Sequence, residues 1–432
     1  MNAAERAEAL ARVRTFLLQN GATPAQIDEA ERNDVLDLLV ADRLLVPSDD
    51  HYTEAEVAER TGMPVELARK FWRALGFADV EPEDRAFSDF DVEAILTINA
   101  MVALGVADVD GGLQLARVIG SSMARIADAM VSPASTGGPM GPIGSDDSVE
   151  AADLFARLAD DVLPAMAGLL EFAWRRHVQA ATRRTMLIRA RTGGALPSLC
   201  VGFADMVGFT MLSQQLSEDE LAVVVSRFEE LAHDTVTAAG GRLVKMIGDE
   251  AMFVSESPVA AGRIALQLAE AYADDELLSD VRVGMAVGPV LVQDGDYYGP
   301  VVNLAHRIVT MAQPGTVLVS DELHQVLLHE GHPAGMQQSA ASAQDVAAVT
   351  DEFGFRPLRP RVVKDVGRVH LWVLQRPGAE PVPWERRMGR RFERLSEVLH
   401  DIEDLRDRGE RLLTSGLRAA VDSDDRPGDG DD

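Results

Sequence analysis

The sequence has almost no cysteine and almost no lysine. One cysteine, Cys200, in 432 residues excludes an intramolecular disulfide framework and fits a reducing compartment. Of the 41 basic residues only Lys70, Lys245 and Lys364 are lysines. Arginine is this chain's default cation, so a lysine calls for explanation wherever a compact donor differs chemically from a planar fork. No run of 18 or more apolar residues occurs, and Met1–Arg14 carries charge throughout without an apolar core. Neither a membrane span nor a cleaved secretory signal is therefore expected, and the expected location is cytoplasmic. Positive charge is scarce as well: 41 Lys and Arg stand against 70 Asp and Glu, a net charge of −29. Such a polyanion repels nucleic acid before any local contact forms, so no nucleic-acid partner is expected. What is present is 47% hydrophobic, a globular composition, and the length predicts two or three domains.

Residues 1–150 read as successive helices. Ala3–Gln19 carries Ala7, Leu10, Val13 and Leu17 at helical spacing and stops at Asn20-Gly21; Val35–Leu45 and Glu54–Gly62 follow, the latter opened by Thr53 as N-cap. Val131–Asp147 is a Ser/Pro/Gly loop by composition. A helical linker, residues 151–195, is interrupted only by Pro164. From Leu196 strands and helices alternate. Leu199–Phe203, Arg242–Ile247, Glu250–Ser255, Val281–Val287, Thr316–Ser320 and Val369–Leu374 read as strands, and Glu218–Ala239, Pro258–Tyr272 and Val301–Ala312 as helices. The order strand-helix-strand-strand-helix-strand predicts an α+β, ferredoxin-like domain over 196–376, preceded by an all-α domain. Ala334–Thr350 reads as a surface insertion. Residues 383–415 read as an amphipathic helix (Trp384, Met388, Phe392, Leu395, Leu399, Ile402, Leu405), and 416–432 as a disordered acidic tail.

Three segments carry chemistry. In Phe203-Ala204-Asp205-Met206-Val207-Gly208-Phe209-Thr210 a carboxylate stands at the exit of an apolar strand, where a hard cation could take it together with phosphate oxygens. In Lys245-Met246-Ile247-Gly248-Asp249-Glu250 a lysine stands inside an apolar strand, where an unpartnered ammonium is costly, and Asp249 sits at a hairpin tip. In Asp296-Tyr297-Tyr298-Gly299-Pro300-Val301-Val302-Asn303-Leu304-Ala305-His306-Arg307, Asn303 and Arg307 are four apart and share a helix face.

With this order and spacing the segment Leu196–Leu374 resembles the catalytic domain of class III nucleotidyl cyclases. The resemblance implies that Asp205 and Asp249 bind two Mg²⁺ or Mn²⁺ ions per site. It implies that Lys245 and Asp296 read the adenine edge of ATP, and that Asn303 and Arg307 hold the ribose and stabilise the transition state. Lys364 falls near the family's last basic position, which contacts the triphosphate. A lysine donor with an aspartate acceptor complements the N1 acceptor and N6 donor of adenine, whereas guanine wants the reverse. In this family the aspartates and the Lys/Asp/Asn/Arg set come from different subunits. The resemblance thus implies a head-to-tail homodimer of an adenylate cyclase, forming cyclic AMP and pyrophosphate.

The N-terminal half resembles the helical regulatory domain of soluble bacterial adenylate cyclases. Within it Tyr52–Ile95 resembles the helix-turn-helix of MerR-type regulators. Yet Glu54–Glu93 holds eleven acidic and five basic residues, so the shape is read as packing rather than DNA recognition. The alternative reading is a DNA- or signal-binding regulator with an inactive cyclase-like domain. Regulation by a proton, a lipid or another small molecule is a further expectation. His177, beside Arg175-Arg176, is a proton-switch candidate that nothing singles out above His306 beside Arg307, whereas the dispersed His324, His329 and His332 read as neither a metal site nor a switch.

Overall fold

The computed structural model describes residues 3–46, 51–105, 108–131, 148–328, 352–363 and 366–379. Lys364, the 334–350 insertion, the 131–147 loop beyond its first residue, the 383–415 helix and the 416–432 tail lie outside the described residues. The chain divides into two compact units, Met1–Arg183 and Arg184–Asp432. No described helix is long and apolar enough to cross a membrane.

The first unit holds helices α1 (Ala3–Gln19), α2 (Pro24–Arg32) and α3 (Leu36–Leu45), strand β1 (His51–Tyr52), α4 (Glu54–Thr61) and α5 (Val65–Ala74). Strand β2 (Phe87–Ser88), α6 (Asp89–Ala103), α7 (Val109–Val131) and α8 (Ser148–Thr192) follow, and the division between units falls within α8. One core joins α1, α2 and α3 to the start of α8 through Val13, Leu17, Ile27, Leu36, Val149 and Ala152. Arg12 clamps α1 to α8 by donating to both carboxylate oxygens of Asp153, at 2.8 and 3.0 Å. A second core collects Tyr52, Val57, Phe71, Phe87, Ile95 and Leu113. The expected helix-turn-helix is there. Thr53 caps α4 in a capping box with Glu56, and Gly62, at φ 69°, ends it in the left-handed conformation that favours glycine. Pro164 lies inside α8 without breaking it.

The second unit contains β3 (Ser198–Met206), α9 (Phe209–Leu212), α10 (Glu218–Ala238), β4 (Arg242–Ile247), β5 (Glu250–Ser255), α11 (Pro258–Asp274) and β6 (Val281–Pro289). Next come β7 (Leu291–Gln293), β8 (Asp296–Tyr298), α12 (Pro300–Met311), β9 (Val317–Ser320) and α13 (Asp321–Leu328). Strands β10 (Gly354–Pro357), β11 (Arg361–Val363), β12 (Gly367–Val369) and β13 (Leu371–Gln375) close the unit. Seven strands form one sheet in the order β10-β13-β9-β6-β3-β5-β4. Its segment β6-β3-β5-β4, joined through α10 and α11, is the expected ferredoxin-like arrangement. The expected closing strand Val369–Leu374 is instead divided: Val369 ends a β11–β12 hairpin, and β13 begins at Leu371. Helix α13 and the β7–β8 hairpin are additions to the sequence reading.

Strand β3 is apolar without alternation because both of its faces are covered. Cys200, Ala204 and Met206 point into a core with α10 and α11, whereas Leu199, Val201 and Phe203 point into a core with α12. Helix α12 lies tightly on the sheet: a Cβ at Gly284 would sit 2.1 Å from the Val309 nitrogen. Gly284→Ala should therefore cost about 1–3 kcal/mol by forcing α12 outward, read as a lowered Tm and lost activity. An unchanged Tm would contradict that close approach. Cys200 is 2% exposed, and burial pushes its thiol up to about 12. A thiol reagent at pH 8 should label below about a tenth of the chains before denaturant is added, since the thiolate is the reactive form.

Candidate active site

Register places three charged residues in a row across the sheet. Asp205 on β3 stands opposite Glu250 on β5 and opposite Arg282 on β6. All three point to the face that α12 partly covers, the face of Phe203 and Met252. The Nε of Arg282 donates to the Oδ2 of Asp205. Asp249 follows in the two-residue loop joining β4 to β5, with Gly248 at φ 62° making the turn. The Met206 amide donates to the Asp249 carbonyl at 2.9 Å, which carries the ladder past Glu250 and sets Asp249 beside the end of β3.

The resulting cluster has too much negative charge. Burial pushes the Asp205 carboxyl above its ordinary value against the pull of the Arg282 hydrogen bond, with Asp249 adding to the rise. Glu250 is pushed up to about 7 by burial and by the charges of Asp205 and Asp249. Among the described residues no group of three or more His, Cys, Asp or Glu is arranged to hold a metal ion, so Asp205 and Asp249 are two carboxylates of the oxygen type a hard divalent cation takes, and phosphate oxygens would have to supply its other positions. Asp205 and Asp249 are thus brought together as the sequence analysis expected. Glu250, Arg282 and His306 were missed as site members. The Nε2 of His306 is 3.4 Å from Glu250, and its ring meets Phe203 edge-on at 5.3 Å. Arg282 carried the signal already used for Lys245, a cation within an apolar strand.

Lys245 reaches the same face through an irregularity. Alternation from Leu243, which packs toward α10 and α11, would turn Lys245 into that core. The pairing of β4 with β5 instead shifts between Leu243 and Lys245, so Lys245 lies opposite Met252, on the α12 side. Its ammonium donates to the Oδ2 of Asp296 on β8. Burial pushes the Asp296 carboxyl up, but the Lys245 hydrogen bond and the Tyr297 amide, at 2.8 Å from Oδ1, hold it below its ordinary value. Asn303 and Arg307 are exposed on α12, whose opposite side is buried at Val301, Ala305, Ile308 and Val309. Gly299, at φ 142°, and Pro300 start that helix. Each pair is therefore assembled: Asp205 with Asp249, Lys245 with Asp296, and Asn303 with Arg307. His177 is exposed on α8, where Arg175 is engaged by Glu171 at 2.6 Å and Arg176 by Gln179 at 3.0 Å. His324 is buried, stacked on Trp372 at 3.6 Å.

Comparison with known proteins identifies the family. Residues 1–177 match the adenylate cyclase regulatory domain, and residues 194–349 match the adenylate and guanylate cyclase catalytic domain. An adenylate cyclase of Streptomyces coelicolor is 32% identical over 77% of this chain and 88% of its own length. One of Glutamicibacter nicotianae is 33% identical over 78% of this chain and 84% of its own. The crystal structure of the adenylyl cyclase CyaB from P. aeruginosa, at 20% identity and TM-score 0.32, covers 42% of this chain and 97% of its own. A regulatory and a catalytic domain in this order, with relatives aligned across both, make the chain a member of the class III adenylate cyclases.

Proposed function

We propose that two copies of the chain assemble head to tail and convert ATP into 3′,5′-cyclic AMP and pyrophosphate at sites they share. In each site Asp205 and Asp249 of one copy face Lys245, Asp296, Asn303 and Arg307 of the other. The observation that carries this reading is the Lys245–Asp296 pair, an amine donor and a carboxylate acceptor side by side at the edge of the open sheet face. Adenine N1 accepts from the one and N6 donates to the other, so the pair selects ATP over GTP. Two Mg²⁺ or Mn²⁺ ions held by Asp205 and Asp249 would make the 3′-hydroxyl more acidic and offset charge on the phosphates. Arg282 and the Met206 amide fix the two aspartates so that little reorganisation accompanies the step. Asn303 orients the ribose, and the exposed guanidinium of Arg307 stabilises negative charge as pyrophosphate leaves. Lys364 is assigned to the triphosphate by its place in the sequence. Exposed Leu291, Val292 and Tyr298 on the β7–β8 hairpin, with Ile247 at the end of β4, give this region apolar surface suited to a partner copy.

The helical unit is assigned a regulatory role in the cytoplasm, exerted through the segment 151–195 by a proton, a lipid or another small molecule. A DNA-binding role finds little support in its helix-turn-helix. Arg69 is paired with Glu54 at 2.8 Å, Arg73 with Asp79 at 2.5 Å and Arg85 with Glu56 at 3.0 Å. Arg60 lies 4.1 Å over the Tyr52 ring. Cations held by their own protein are poorly placed to neutralise phosphates.

The deciding measurement is product formation from ATP and from GTP with Mn²⁺. The expected result is cyclic AMP, with kcat/KM for ATP at least about tenfold above that for GTP. Equal values, or preference for GTP, would overturn the assignment of Lys245 and Asp296.

A further inference from the structure

Reading a base requires the Asp296 acceptor at a fixed offset from the Lys245 donor, yet the two stand on different pieces of structure. Lys245 belongs to the seven-stranded sheet, whereas among the described residues β7 and β8 pair only with each other, over three residues each. A two-stranded ribbon of that size has little stability of its own and must be docked. Asp294, at φ 56°, and Gly295, at φ 81°, close it as a tight turn. Tyr297 anchors it. It is 5% exposed and packs into the core beneath α12, pointing away from Asp296 as neighbours on a strand must.

The Tyr297 hydroxyl accepts a hydrogen bond from Arg242, the first residue of β4, whose guanidinium carbon is 4.8 Å from the ring centroid. The Nε of Arg242 is buried with no hydrogen-bond partner among the described residues, so the described hydrogen bond of this side chain goes to the hairpin. One strand thus supplies both Arg242 and Lys245, and one hairpin supplies both of their partners, Tyr297 and Asp296.

We propose that Arg242 is a positioning residue for purine selectivity: with Tyr297 it forms a strut that sets the distance of Asp296 from Lys245 without touching the nucleotide. This rests on Lys245 and Asp296 being the base-reading pair. A guanidinium suits the task because it donates to the hydroxyl while lying against the ring. Its charge also favours the ionised form of Asp296, which the acceptor role requires.

The test uses the full chain with Mn²⁺ and measures kcat and KM for ATP and GTP, with GTP also assayed as a competitor of ATP. Arg242→Gln should lower the ATP-over-GTP ratio about tenfold, mainly by raising KM for ATP, because uniform positioning of the base is lost. Tyr297→Phe, which keeps the ring and removes the hydroxyl, should lower the ratio about threefold, and the double variant should match Arg242→Gln, as expected of one coupled contact. Arg242→Lys retains a donor and a charge and should stay closer to the wild type. Protection of Cys200 from thiol reagent reports whether each variant is folded, and Tyr297→Phe serves if Arg242→Gln is not. Equal loss for both nucleotides, or a ratio within about twofold of wild type, overturns the strut. Lys245→Met separates the strut from the base-reading pair. If it abolishes selectivity while the Arg242 and Tyr297 variants keep it, only the strut fails; if it too leaves selectivity intact, the base-reading pair fails and the strut with it.

Discussion

Asp205→Asn is expected to lower cyclic AMP formation by about a thousandfold or more, the scale of losing a group that holds charge at a phosphoryl centre. The change is nearly isosteric. Asparagine can still accept from Arg282, so the folded state should persist and the loss should appear in kcat rather than in the yield of folded protein. Asp249→Asn should be equally damaging and structurally milder, because Asp249 lies in a two-residue hairpin loop whose backbone carbonyl, not its side chain, receives the Met206 amide. Steady-state kinetics alongside a thermal melt check both variants. Activity within tenfold of wild type in a folded Asp205→Asn protein would remove the aspartates from the mechanism.

A mixture of two inactive proteins is expected to regain activity. In Asp205→Asn the aspartate side of every site is broken; in Asn303→Ala the ribose side is broken. A twofold-symmetric head-to-tail dimer of one copy of each concentrates both lesions in one site and leaves the other whole. Co-expression at equal levels makes about half of the dimers mixed, each with one good site, so about a quarter of wild-type activity should return. Asn303 lies on the exposed side of α12, so its replacement should leave packing intact. Recovery below about one per cent, with mixed dimers demonstrated, would mean that each site is built within a single copy.

Much of the site was legible because its elements announce themselves locally. The short apolar β3, the Gly248-Asp249 turn and the Gly299-Pro300 start of α12 are each written within a few residues. The Asp294-Gly295 turn is an equally plain hairpin signal, but the strands it joins are three residues each, too short to show alternation. Helix α13 begins at Asp321 directly after β9 ends at Ser320, with no Gly or Pro between them to mark the change. Glu250 and Arg282 acquire their place only through cross-strand register with Asp205, which brings together residues far apart in the chain.

The sequence by itself determined which chemistry was on offer: two aspartates at strand ends, a rare lysine in an apolar strand, and an asparagine and an arginine one helical turn apart. Residue type and local spacing suffice for that, since both are properties of short segments. Only the tertiary structure decided which way those groups face. An uninterrupted β4 would bury Lys245 against α10 and α11, and the shift of pairing after Leu243 turns it to the side of Asp296. A strand's alternation has a period of two, so one extra residue exchanges its faces, and whether that residue is accommodated depends on a neighbouring strand rather than on the strand itself.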